Sequence, residues 1–336
     1  MFELDDLFKL NKVMVVAEIG INHNGSIDKL YRLVDTAKDV GADAVKFQIF
    51  SKDGFYIKGD YLPKEVSSRL PVEIFKKVYI PFGEYDKIFK YAKSLGILPF
   101  ATPLDIESFE FLQSLNVSVF KVASSDINYI PLLMKISKTN KPVILSTGFS
   151  EIREVKRYAK ILANNPLVIM FCVSRYPSQP SDYSIKEFML FRKEFENSSK
   201  HKLVGFSDHT KTLSLPVAFV SLGARVVEKH LTLSEDDDSY DNLVSISSEK
   251  FRVMVEMIRE VEEAMKTTSR NLPNEFVRKM SMRSFVARRE LKIGQRILED
   301  DIEALRPSIF TPSSLENWKK FINNFATKDY HHREPL

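Results

Sequence analysis

The sequence predicts an α/β fold, a TIM (β/α)8 barrel followed by a small β-rich module. Three observations carry this. From residue 13 to about residue 265, short runs rich in Val, Ile and Phe alternate eight times with amphipathic helical stretches. Eight such units over about 250 residues match the usual size of this barrel. Polar residues cluster where the apolar runs end, which is where a parallel barrel presents chemistry. An open doubly wound sheet usually has fewer units and a Gly-rich first turn. Here Gly20 and Gly25 bracket the first turn without spelling G-x-G-x-x-G.

The first strand, residues 13–18, is apolar up to its final carboxylate, Glu18. It breaks into the turn Asn22-His23-Asn24-Gly25, and Ser26 caps a helix over 28–40. The remaining strands are expected at 44–49, 98–101, 119–122, 143–146, 168–171, 203–206 and 225–228. Helices are expected at 82–94, 108–115, 131–139, 151–163, 185–195, 213–222 and 249–265, where apolar residues recur at helical spacing. The longest interruption, 51–80, follows the second strand and is expected to fold over the barrel mouth. Residues 1–265 thus read as the barrel domain. Residues 266–282, polar with Pro273, read as a linker, and 283–336 as a separate module. In that module 284–287 is strand-like, a turn follows at Lys292-Ile293-Gly294, and 298–302 leads into Leu305-Arg306-Pro307. So short a module has a marginal core and is expected to dock on another surface.

At 336 residues, with 44% hydrophobic and 28% charged side chains, the composition is that of an ordinary soluble protein. A formal charge of +4 suits an anionic small molecule and is no nucleic-acid signature. The single cysteine, Cys172, excludes an intrachain disulfide, points to a reducing cytoplasm and reads as a small buried hydrophobe. Residues 1–12 carry Glu3, Asp5 and Asp6 and lack an apolar signal core. No apolar run approaches the roughly 20 residues of a membrane span. A cytoplasmic protein with neither nucleic acid nor membrane as partner is expected.

The strand ends carry the chemistry. His209 and His230 end the seventh and eighth strands. Neighbouring strands lie about 4.8 Å apart, so two imidazoles there can converge on one metal ion; a helix cap and a polar-layer histidine are the plain alternatives. His331 and His332 lie in a polar tail and read as solvated. Lys46 and Lys121 sit inside apolar strands, where an amine needs an anion. Thr102, Ser124, Ser146, Ser174 and Ser207 ring the same rim with hydroxyls, and together these describe a cradle for phosphate plus carboxylate. Salt bridges to Glu18 or Glu228, or a Schiff-base lysine, are the alternatives. The run Glu235–Asp238 reads as a solvated loop, while Asp241, just before Leu243-Val244, is a candidate to point inward. Trp318 gives no lead.

These strand ends resemble the sialic acid synthase family, the N-acetylneuraminate synthase group. The matching pieces run in order: Ala-Glu-Ile-Gly-Ile-Asn-His-Asn-Gly-Ser (17–26), Gly-Ala-Asp-Ala-Val-Lys-Phe-Gln (41–48), Thr-Pro (102–103), and Phe-Lys-Val-Ala-Ser (120–124). Lys-Pro-Val-Ile-Leu-Ser-Thr-Gly (141–148), Tyr-Pro (176–177), Gly-Phe-Ser-Asp-His-Thr (205–210) and Glu-Lys-His-Leu-Thr (228–232) follow. Lys-Ile-Gly (292–294) and Leu-Arg-Pro (305–307) resemble the antifreeze-like (SAF) domain of these synthases.

The resemblance implies condensation of phosphoenolpyruvate with an N-acetylated aldose. It implies a divalent metal, Mn2+ or Mg2+, on His209 and His230, and phosphoenolpyruvate held by Lys46, Thr102, Lys121, Ser124, Ser146, Ser174 and Ser207. Glu18 would be a proton carrier near the reacting centre, with Lys46, Lys121, Tyr176 and Asp241 beside it in the catalytic set. Gln48, Tyr176, Asp241 and Arg306 would touch the sugar, Arg306 from the other copy of a domain-swapped homodimer. Ser174 stands where neuraminate-forming members often carry asparagine. Asp-Ser-Tyr-Asp-Asn (238–242) lacks the usual Gly-Pro, and Arg-Pro-Ser replaces Arg-Pro-Gly. An aldolase on the same barrel and a non-catalytic sugar-binding relative remain the competing readings.

Overall fold

The computed structural model describes residues 12–196 and 202–336. The amino-terminal segment read above as lacking a signal core lies, apart from Lys12, outside the described residues. The chain divides into two compact units between Thr267 and Thr268.

Among the described residues of the first unit, eight strands alternate with eight helices of eight or more residues. They are β1 (Met14–Gly20), α1 (Ile27–Asp39), β2 (Ala44–Ile49), α2 (Phe82–Ser94), β3 (Leu98–Pro103), α3 (Ile106–Ser114), β4 (Phe120–Val122) and α4 (Ile130–Ser137). Next come β5 (Val143–Ser146), α5 (Ile152–Ala159), β6 (Leu167–Cys172), α6 (Ile185–Glu196), β7 (Lys202–Asp208), α7 (Ser214–Ser221), β8 (Val226–His230) and α8 (Ser248–Lys266). The sheet order is β3-β2-β1-β8-β7-β6-β5-β4, every pairing parallel. Packing of β3 against β4 closes the barrel. Each predicted strand is present, and β1, β3, β6, β7 and β8 run one to two residues further into their polar ends than the apolar runs suggest. The reason is that ladder bonds continue after the apolar residues stop: β7 stays paired to β8 through Asp208.

Two apolar layers hold the barrel. Met14, Val16, Ala44, Leu98, Phe100, Val119, Ile144, Val168, Met170 and Val226 fill its interior towards the amino ends of the strands. The alternate residues, such as Val15, Ala17, Val45 and Phe47, face the helices. The segment between β2 and α2 folds into short helical turns at Gly59–Tyr61, Lys64–Ser67 and Val72–Lys77. Phe50, Phe55, Phe75 and Tyr79 cluster within it, with Phe50 and Phe75 edge to face at 5.4 Å.

The second unit contains α9 (Glu275–Ser281), β9 (Ser284–Ala287), β10 (Ile302–Leu305) and α10 (Leu315–Phe321). Strands β9 and β10 pair antiparallel, Ser284 opposite Leu305. Its core is Phe285, Ala287, Leu291, Ile297, Ile302, Ala326 and Tyr330, with Trp318 against Phe285. The stretch read as a plain linker contains α9: Asn274 caps it by accepting from the backbone N–H of Val277, overriding the polar composition. His331 and His332 are exposed, as expected of the tail.

Candidate active site

A cavity of about 460 Å3 opens at the carboxyl ends of the barrel strands. Every residue of the first unit nominated from the sequence lines it: Glu18, Lys46, Gln48, Thr102, Lys121, Ser124, Ser146, Ser174, Tyr176, Ser207, His209, His230 and Asp241. Arg306 belongs to the second unit, where it is exposed directly after β10.

Register builds the floor. Glu18 on β1 is the partner of Lys46 on β2 and of His230 on β8. Glu18 Oε2 lies 2.7 Å from Lys46 Nζ, and Gln48 Nε2 donates to Glu18 Oε1 at 3.2 Å. Glu228 completes the cluster, with Oε1 at 3.6 Å from Lys46 Nζ and 3.9 Å from Lys121 Nζ, accepting from Ser207 Oγ at 3.3 Å. Lys121 donates to Ser146 Oγ at 2.6 Å, and Lys46 lies 3.4 Å from Thr102 Oγ1. The ion pairs weighed against an anion cradle therefore do form. They share the cavity with the hydroxyls rather than replacing them.

Burial sets the proton affinities. It pushes Glu18 up from 4.5 to about 7, against the pull of Lys46. Burial also raises Asp241 from 3.8 to about 6. It would raise Glu228 too, but Lys121, Lys46, His209 and the Ser207 hydroxyl outweigh it and hold this carboxyl below its usual range. Lys46, between two carboxylates, is raised in spite of burial, whereas burial lowers Lys121. The two carboxyls of the floor are thus split, Glu228 ionised and Glu18 titrating near neutrality.

The imidazoles are held neutral. Burial lowers His209, and burial with neighbouring His209 lowers His230 well below 6.5. His209 Nδ1 lies 2.7 Å from the Val173 carbonyl oxygen, which only accepts, so Nδ1 carries the proton and Nε2 keeps its lone pair. His230 Nδ1 is buried without a hydrogen bond, 3.5 Å from Asp241 Oδ2. The ring centroids are 5.7 Å apart. Two neutral imidazoles, one with its tautomer fixed, suit a divalent cation. Among the described residues no group of three or more His, Cys, Asp or Glu side chains is arranged for a metal. A cation on this pair would take its other ligands from substrate or water. The charged neighbours Asp208 and Lys229 alternate to the opposite face of β7 and β8, pairing with each other at 2.6 Å while fully buried. They belong to the scaffold.

The turn after β1 positions the loop after β8. Asn22 Nδ2 donates to the Leu231 carbonyl at 2.8 Å and to Ser245 Oγ at 2.7 Å, while its Oδ1 accepts from Asp241 N at 3.2 Å. Asp241 Oδ2 accepts from Ile21 N at 3.1 Å. Gly20 has φ +54°, and a Cβ there would collide with Asp241 Oδ2. His23, which the sequence left without a role, is buried and accepts from Gly25 N at 3.0 Å, pinning the turn. The acidic loop is only partly solvated, since Asp237 pairs with Lys29 at 2.6 Å and Glu235 with Lys250.

Sequence reasoning missed the outer wall. Phe55, Tyr56 and Phe75 from the β2–α2 segment, Phe149 after β5 and Asp126 after β4 all line the cavity. Nothing in their spacing marks them, although the 51–80 segment itself was expected at the mouth. Tyr176 leans on His209 with centroids 4.3 Å apart. Cys172 is buried as expected, yet it also lines the cavity, 3.4 Å from Ser124 Oγ.

Comparison with known proteins gives the same picture. The chain is 32% identical over 321 residues to the N,N'-diacetyllegionaminic acid synthase of Legionella pneumophila, covering 90% of this chain and 88% of that one. It is 31% identical over 331 residues to a pseudaminic acid synthase of Campylobacter jejuni, covering 95% and 93%. The solved N-acetylneuraminic acid synthetase of Leptospira borgpetersenii, in complex with citrate, aligns with a TM-score of 0.69 at 25% identity over 79% of this chain and 88% of that chain. The model of the NeuB family matches residues 33–270, a span from within α1 past the end of α8 that includes β2 through β8. With the cavity assembled from those strand ends, the chain belongs to the NeuB family.

Proposed function

We propose that this cavity condenses phosphoenolpyruvate with the open-chain aldehyde of an N-acetylated hexose, N-acetylmannosamine or a 2,4-diacetamido-trideoxyhexose. The products are a nine-carbon, sialic acid-like nonulosonic acid and inorganic phosphate. The observation that carries the proposal is one cavity combining two buried lysines, a ring of hydroxyls, two neutral imidazoles and a carboxyl titrating near 7. The names of the relatives favour the same chemistry.

In this reading Lys46 and Lys121, with Thr102, Ser124, Ser146, Ser174 and Ser207, bind the phosphate and carboxylate of phosphoenolpyruvate. Glu18 and Glu228 balance the amines before substrate enters, so the buried charges are compensated. Carbon 3 of the enolpyruvate attacks the aldehyde carbon, and the aldehyde oxygen takes up a proton as the C–C bond forms. Water adds to the cationic carbon 2 and loses a proton. The bond from carbon 2 to the phosphate oxygen then breaks while the carbon-2 hydroxyl passes its proton to the departing phosphate, leaving the 2-keto acid. Glu18 moves the proton at the aldehyde oxygen. A divalent cation on His209 and His230, manganese or magnesium, supplies Lewis-acid polarisation of the aldehyde when bound. Gln48, Tyr176 and Asp241 orient the sugar. The active unit is a cytoplasmic domain-swapped homodimer in which Arg306 of the SAF-like module reaches the other copy's site.

Phosphate release from phosphoenolpyruvate that requires both a divalent ion and an aldose tests the proposal; no release with any N-acetylated aldose and manganese sinks it. Burial lowers the Lys121 amine, which favours a second reading, a Schiff-base aldolase. Borohydride treatment with pyruvate separates the two: a trapped adduct on Lys121 establishes the aldolase, and the synthase traps nothing.

A further inference from the structure

The two imidazoles of the cavity are anchored by different means. His230 lies inside β8, in register with Glu18 of β1, and its carbonyl accepts from Ile246 N at 3.0 Å. His209 stands one residue beyond β7, whose ladders to β6 and β8 end at Ser207 and Asp208. The sheet thus leaves the main chain of His209 to other partners.

The segment after β6 supplies them. His209 N donates to Tyr183 Oη at 3.2 Å, and Ser178 N donates to the His209 carbonyl at 3.2 Å. The Val173 carbonyl accepts from Nδ1 of the same residue at 2.7 Å. A buried main-chain N–H beyond a ladder needs such an acceptor. Because the Tyr183 oxygen accepts from His209, its own proton is available to Ser178 Oγ, 2.9 Å away. The grips on either side of His209 are therefore linked to each other.

Tyr183 is itself held from behind. Its ring stands edge to face against Phe206 of β7 at 5.3 Å and against Phe219 of α7 at 6.3 Å. A three-residue helical turn, Pro180–Asp182, leads into it, and Gln179 N donates to Asp182 Oδ2 at 2.7 Å to close that turn. Tyr183 is buried and stands outside the cavity lining. It spans from the aromatic core to the His209 main chain, so packing behind the barrel wall sets where that main chain sits.

We infer that Tyr183 is a positioning residue for the histidine pair: its hydroxyl fixes the main chain of His209, and with it the aim of the Nε2 lone pair, and it acts through that histidine rather than on substrate. This rests on the metal role proposed above for His209 and His230. Loss of an outer partner that orients a metal ligand typically weakens metal binding by about 10–100-fold.

The test uses the full-length protein and Mn2+ alone, followed by electron paramagnetic resonance. Tyr183→Phe keeps the ring against Phe206 and Phe219 and deletes the hydroxyl. Ile136→Ala, which opens a cavity under the buried face of α4, serves as a variant that is destabilised away from the histidines. Tyr183→Phe should weaken Mn2+ binding by about 10-fold or more. Ile136→Ala should lower the melting temperature and bind Mn2+ like the wild type. Wild-type affinity in Tyr183→Phe, or an equal loss in Ile136→Ala, overturns the inference. Wild-type protein that binds no Mn2+ sinks the metal role alone, and the imidazole nitrogens then decide. In nitrogen NMR spectra of the metal-free protein, with the His209 signals identified by their absence in His209→Asn, the wild type should show Nδ1 protonated. A mixture of tautomers in Tyr183→Phe supports the positioning role, and an unchanged tautomer overturns it.

Discussion

Glu18 and Lys46 face each other across the β1/β2 ladder and close an ion pair of 2.7 Å, yet burial still holds Glu18 at about 7. Desolvation outweighs the attraction of the amine, and a carboxyl so raised can exchange a proton near neutral pH, as the role proposed for it requires. Replacing it by glutamine keeps its size and removes the proton exchange. Glu18→Gln should lower kcat for phosphate release by about 10^2-fold or more while changing the KM for phosphoenolpyruvate little. Steady-state kinetics decides, and a loss confined to KM would return Glu18 to a structural role.

The same shift predicts a pH dependence of stability. The folded-state value, about 7, lies above the ordinary 4.5, so the folded protein favours the protonated form. This contribution is fully present below 4.5 and is lost as pH rises through 7. The shift corresponds to a change on the order of 3 kcal/mol. Asp241, raised from 3.8 to about 6, adds in the same direction. Urea unfolding of the wild type and of Glu18→Gln at pH 5 and pH 8 should show the variant gaining on the wild type as pH rises. A constant difference would argue against the raised value.

Gly20 and Asp241 form a second test. With φ +54° at Gly20 and Asp241 Oδ2 where a Cβ would be, Gly20→Ala displaces the carboxyl and strains the backbone. The variant should fold with a loss of about 1–2 kcal/mol and lose the sugar-dependent part of its activity, matching Asp241→Ala in its KM for the aldose. Wild-type aldose kinetics would show that Asp241 does not contact the sugar.

Asn22 bonds Leu231, Ser245 and Asp241 while wholly buried, so Asn22→Ala should leave polar groups without partners. A stability loss of about 2–4 kcal/mol is expected in chemical denaturation. Hydrogen exchange should increase in the loop between β8 and α8 before it does elsewhere.

The two histidines predict metal binding directly. Mn2+ titration followed by electron paramagnetic resonance should show a site in the wild type, weakened at least about 10-fold in His209→Asn and in His230→Asn. Unchanged binding in both would move the metal elsewhere. EDTA should abolish phosphate release, and manganese should restore it.

The barrel was legible because parallel strands buried on both faces read as uninterrupted apolar runs, and because their polar ends are short and distinct. Lys46 and Lys121 stood out since an amine inside such a run is costly to bury without an anion or a chemical role of its own. Glu228 was visible only as a pairing partner, because a carboxylate between valines and a lysine gives no hint of facing two amines at once. Asp126 sits in Ser-Ser-Asp, which looks like an ordinary turn. Phe55 and Tyr56 lie on a bend and Phe75 on a short helical turn, with no period to follow, so only the folded segment shows which rings reach the cavity. The helix Glu275–Ser281 escaped notice because Phe276, Val277 and Met280 are exposed and supply no buried stripe.

The buried pair Asp208–Lys229 shares its two strands with Ser207, Glu228 and His230, which lie on the opposite face, and His209 follows directly after β7. These strands are therefore read in two frames, odd positions of β7 and even positions of β8 for the cavity, their neighbours for the wall behind it. A slip of a single residue would exchange the frames, sending the ion pair into the cavity and the imidazoles into the helix layer. Substitutions here remove one group at a time, but a one-residue insertion ahead of Ser207 displaces Ser207 and His209 together, and one ahead of Glu228 displaces Glu228 and His230. Length, more than identity, is what these two strands must preserve.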